Sequence, residues 1–119
     1  MVPWGMTSSA PVDLSALAEQ KLEEAMQASS GRASVTVHGG RDHRLRQTLL
    51  AMRAGEELAE HSSPGEATLQ VLRGRIVLRV GEERHDIRAG ELLTIPDAVH
   101  AVEVPEHSVF LLTVALREG

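Results

Sequence analysis

The chain has 119 residues, the size of one domain, and its 42% hydrophobic and 24% charged residues exclude wholesale disorder and a fibrous class. Its formal net charge of -5 is spread over mixed Arg and Glu segments, so no basic stripe is offered to nucleic acid, and no apolar run approaches the ~20 residues that cross a bilayer. There is no cysteine, which removes disulfides, thiolate metal sites and cysteine nucleophiles.

Residues 1–12 carry Pro3, Pro11 and the polar Thr7-Ser8-Ser9 stretch without periodicity, and are expected to form a loose terminus. They have neither a basic start nor an apolar secretion-signal core, so a soluble, cytoplasmic protein without a membrane partner is expected. Lys21 is the single lysine among 12 basic residues, a codon bias that suggests a bacterial source.

From Asp13 the pattern changes. Leu14, Leu17, Ala18, Leu22, Ala25 and Met26 recur at steps of three and four, with Glu19, Gln20, Glu23 and Glu24 between them. This spacing predicts one amphipathic helix within residues 13–30, capped by Asp13 and stopped by Ser29, Ser30 and Gly31. Its apolar stripe must dock on its own domain or on a second subunit.

Residues 31–119 read as one β domain. Short runs at 34–38, 44–53, 66–73, 75–80, 91–95, 100–104 and 108–116 are closed by glycine or proline, the pattern of a sandwich, jelly roll or closed barrel. In the run 75–80, Ile76, Leu78 and Val80 face one way and Arg75 and Arg79 the other. The runs 66–73 and 108–116 are apolar on both faces, which calls for a second cover outside the barrel and makes a homodimer the expected assembly.

Gly55-Glu56-Glu57-Leu58-Ala59-Glu60-His61, followed by Ser62-Ser63-Pro64-Gly65 and Val71-Leu72-Arg73-Gly74, resembles the first motif of the cupin superfamily. The stretch from Gly90 through Ile95-Pro96-Asp97-Ala98-Val99 to His100 resembles the second. The likeness spans residues 34–116 and implies an all-β, double-stranded β-helix, the cupin jelly-roll barrel, with one N-terminal amphipathic helix before it. Small stand-alone bacterial cupins of unassigned function are the nearest in character.

Cupins that hold a divalent metal use two histidines and a glutamate from the first motif and one histidine from the second. His61 matches the first position and His100 the last, but Ser63 stands at the second and Ala67 at the glutamate. Glu66 lies one residue early, and strand alternation sends it to the opposite face unless a bulge intervenes. A divalent transition metal on His61, His100 and Glu66 is therefore one open reading.

His100 shares parity with Val102 and Val104 and is expected to point inward, whereas the parity of His61 with Ala59 and Glu57 decides little. Gln47 shares parity with Leu45, Leu49 and Ala51 and either completes a pocket with His61 and His100 or lies on the outer face. Gln70 is expected on the outer face, and His38, His43, His85 and His107 at the surface. No hydrolase, zinc-protease or nucleotide motif is present.

Three functions remain open on these residues. The first is small-molecule binding in the barrel cavity with a sensory or regulatory role, with His61, His100, Gln47 and Ser63 as contacts. The second is a metal-dependent enzyme of isomerase or dioxygenase type. The third is a dimeric interaction module that uses the helix. All depend on the segments ending at His61 and His100 being neighbouring strands that open both imidazoles into one cavity.

Overall fold

The computed structural model describes residues 10–116, so the terminus expected over residues 1–12 lies largely outside the described residues. Helix α1 (Leu14–Gln27) starts where the Asp13 carboxylate accepts the Ala16 N–H at 3.1 Å. It ends at Ala28, whose backbone is extended. The helix lays Leu14, Leu17 and Leu22 on Leu49, Ala51, Val109 and Leu111, and its two buried positions, Ala18 and Ala25, are small enough to let it approach the sheet closely. Most of the stripe is thus covered by its own domain, while Met26 stays 41% exposed.

The strands follow as β1 (Arg32–His38), β2 (Leu45–Met52), β3 (Glu57–His61), β4 (Gly65–Arg73), β5 (Arg75–Val80), β6 (Glu83–Arg88), β7 (Leu92–Ile95), β8 (His100–Glu103) and β9 (Ser108–Leu116). One sheet has the order β1-β2-β9-β4-β7 and the other β3-β8-β5-β6, with antiparallel pairing throughout. This is the expected jelly-roll class, but the sheets are not closed into a barrel: they stay separate and keep four edges. Two of those edges, β3 and β6, are rich in charge (Glu57, Glu60, Glu83, Arg84 and Asp86), a composition that discourages further strand pairing. Neither appears among the runs read from periodicity.

Met52, Leu69, Val71, Ile76, Leu78, Val102 and Phe110 meet between the sheets. Strand parity then sorts the five-stranded sheet: Leu50 and Met52, Ala67 and Leu69, and Phe110 and Val114 face this core, while Leu49, Ala51, Val109 and Leu111 face α1. Burying both faces explains why the runs in β4 and β9 are apolar on both parities.

The second sheet carries an ion network. Arg84 donates to both Glu103 carboxylate oxygens, at 2.8 and 3.1 Å, and Arg79 donates to one of them. The Arg84 hydrogen bond, reinforced by Arg79 and opposed by partial desolvation, holds the Glu103 carboxyl below its ordinary range. A carboxyl whose folded-state pKa is lowered stabilises above its unfolded-state value and loses that contribution as the pH falls through the folded value. Glu103→Gln should therefore lower the urea midpoint at pH 7, and the gap to wild type should be smaller at about pH 3, below the ordinary carboxylate range, than at pH 7. Urea titrations of both proteins at the two pH values check this.

Candidate functional site

The site is built on the antiparallel pair β3 and β8. Glu57 stands opposite Glu103 and Leu58 opposite Val102, but the next match is His61 with His100. Three residues of β3 thus face two of β8, a bulge at Ala59 and Glu60 that reverses the parity of the strand end. His61 is carried to the face of Leu58, which packs against the inter-sheet core. His100 has the parity of Val102 and Val104, both core residues.

The two imidazoles consequently meet, with ring centroids 4.5 Å apart and planes inclined by 60°. His100 is only 2% exposed, whereas His61 is exposed, so the pair runs from the interior to the rim. Each ring is fixed the same way: the His61 Nδ1 lies 2.8 Å from the Ala59 carbonyl and the His100 Nδ1 2.8 Å from the Ala98 carbonyl. Val99, next to His100 in the chain, is half exposed.

The other sequence candidates lie elsewhere. Gln47 is on the outer face with Leu49 and donates to the Thr113 hydroxyl at 3.2 Å, so it does not project between the sheets. The physical reason is that β2 is apolar on both parities, and the inward set is Leu50 and Met52. Glu66 alternates with the core residue Ala67, is exposed, and lines an outer cleft of about 460 Å3 together with Thr68, Thr94 and Thr113. No bulge brings it back to the histidines. Ser63 is half-buried in the connection from β3 to β4.

Two other histidines make specific contacts, His43 half-buried and His107 exposed as expected. The His43 ring lies 4.9 Å from that of His38, and its Nδ1 is buried without a hydrogen-bond partner. His107 accepts the Ala54 N–H at 2.9 Å through Nδ1, which ties two loops together. Neither contact has a local signal, because both depend on loop closure.

The model of the cupin domain family matches residues 48–115, more than half of the chain. The chain belongs to the cupin family. A conserved protein of unknown function from Streptococcus pyogenes is similar to this cupin, with 27% identity, TM-score 0.68, and coverage of 77% of this chain and 80% of that one. An RmlC-like cupin protein from Desulfovibrio desulfuricans shares 21% identity at TM-score 0.62 over 97% of this chain and 96% of its own. A DMSP lyase from Ruegeria pomeroyi shares the fold at TM-score 0.63 and 18% identity, over 72% of this cupin and 47% of the lyase. Among curated proteins none matches.

The metal that many cupins hold does not fit this donor set. The inward position that the motif gives to glutamate is Ala67, 3% exposed in the core. Glu66 is on the opposite face, and among the described residues no three His, Asp or Glu side chains gather where they could hold a metal ion. Two imidazoles are one short of the three protein ligands usual for a catalytic centre. No helix of the described residues is long and apolar enough to cross a membrane.

Proposed function

We propose that this cupin binds a small molecule at the rim between its sheets, with His61 and His100 as the polar contacts and Val99 and Leu58 as apolar ones, and that its role is sensory or regulatory rather than catalytic. The observation that carries the reading is the facing pair of imidazoles, each fixed by a carbonyl, with no third His, Asp or Glu gathered beside them to hold a metal ion among the described residues. A site with few, well-placed polar groups in apolar surroundings is the usual form of a small-molecule pocket. The homodimer and the cytoplasmic location belong to the same proposal.

A saturation-transfer NMR screen of a metabolite panel against wild type and His61→Ala/His100→Ala tests this. Hits should be lost in the variant by at least about tenfold in affinity, the equivalent of about 1.4 kcal/mol. Hits that survive would place binding elsewhere. Elemental analysis addresses the enzyme reading: the proposal expects substoichiometric divalent metal that does not change in His100→Ala. One metal per chain, lost in that variant, would favour a metal-dependent enzyme instead.

A further inference from the structure

We infer that the His61–His100 pair is a two-acceptor site, selective for ligands that carry hydroxyl or ammonium donors and closed to carboxylates and other anions. The inference rests on the small-molecule reading above and adds the ligand class.

A carbonyl oxygen has no proton to give, so the contacts of Ala59 O and Ala98 O at 2.8 Å require Nδ1 of each ring to be the donor. A neutral imidazole has one N–H, and its other nitrogen is then an acceptor. When neutral, both rings therefore present an Nε2 lone pair, and the 4.5 Å centroid separation brings the two rings within reach of one small molecule.

A ligand that satisfies two acceptors at once needs two donors, such as vicinal hydroxyls or a hydroxyl beside an ammonium. A carboxylate or phosphate would set its own lone pairs against those of the rings.

The test uses the full chain, labelled with 15N at histidine, freed of metal by a chelator and studied at about pH 8.5, above the midpoint of a free imidazole. Long-range 1H–15N spectra should show the Nδ1–H form for His61 and His100. His107, whose Nδ1 accepts from Ala54, should show the opposite form and serves as the internal control. Single His→Gln variants assign the rings, and through-bond correlations in the wild type replace any variant that fails to fold.

Propane-1,2-diol and lactate, which share a carbon skeleton, then separate donor from anion. The diol should move both Nε2 resonances with a single dissociation constant, and lactate should bind at least about tenfold more weakly. An Nε2–H form at either ring, lactate binding as well as the diol, or binding by neither probe overturns the inference. Failure of the two readings is distinguishable. Nε2–H rings together with screen hits that His61→Ala/His100→Ala loses would remove the donor selectivity and leave the small-molecule site; Nδ1–H rings with hits that the variant retains would remove the site itself.

Discussion

Phe110→Ala is expected to destabilise the protein by about 3–5 kcal/mol, the range for deleting a large buried aromatic side chain. Phe110 is the single phenylalanine of the chain, 1% exposed, on the central strand of the five-stranded sheet. It is flanked by Leu50 on β2 and Val71 on β4, both on the inter-sheet side, so neighbours on rigid strands limit how far the cavity can collapse. Against a total stability of about 5–15 kcal/mol, the loss is large enough to leave a measurable unfolded fraction. Urea titration followed by circular dichroism should show a midpoint lowered by on the order of 2 M. Leu92→Ala is the control: Leu92 belongs to the same sheet but is 58% exposed, and its truncation should stay within about 0.5 kcal/mol.

Gly74→Ala is expected to cost about 2–5 kcal/mol through two separable effects. Gly74 joins β4 to β5 at φ +77°, a left-handed conformation that costs any other L residue about 1–2 kcal/mol. In addition, a Cβ there would overlap the His107 carbonyl oxygen and the Ser108 hydroxyl, adding about 1–3 kcal/mol of overpacking. Ser108 is fully buried, and its hydroxyl accepts the Arg75 N–H at 3.0 Å with the Arg75 and Glu106 carbonyls at 2.9 and 2.8 Å. The clash therefore strikes the junction between the β4–β5 turn and the start of β9. Gly81→Ala isolates the backbone effect, because Gly81 has φ +59° and nothing within 4 Å of the added Cβ. Equal midpoint shifts in the two variants would show that the Ser108 junction yields freely.

The helix was legible because its apolar residues recur at helical spacing on one stripe and Asp13 sits at the capping position. The strands with a buried face were legible for the same kind of reason, as in Ile76 and Leu78 between Arg75 and Arg79. β3 and β6 escaped the periodic reading because edge strands carry charge where central strands carry packing. Each has one neighbour in its sheet, so polar residues there cost little.

Within the site, His100 could be assigned by parity with Val102 and Val104, but His61 could not, since the bulge at Ala59 and Glu60 reverses its face. A bulge is a property of the pairing, absent from the strand alone. Gln47 shows the converse limit. Its parity set, Leu49 and Ala51, is buried just as the other set is, but under α1 and not between the sheets. Only the docking of the helix decides which apolar face is the inner one. Glu66 follows simple alternation, because β4 pairs regularly with both neighbours from Glu66 through Val71 on the β9 side and from Ala67 through Gln70 on the β7 side.

Binding at this site requires the two imidazoles to share one opening, and proximity of the rings is the most direct measure of that. A two-dimensional NOE spectrum of the wild-type protein, with histidine ring protons assigned, should show cross peaks between the rings of His61 and His100, and from both rings to the methyl groups of a bound ligand. Ring protons without mutual cross peaks, or a ligand in contact with neither ring, would contradict it.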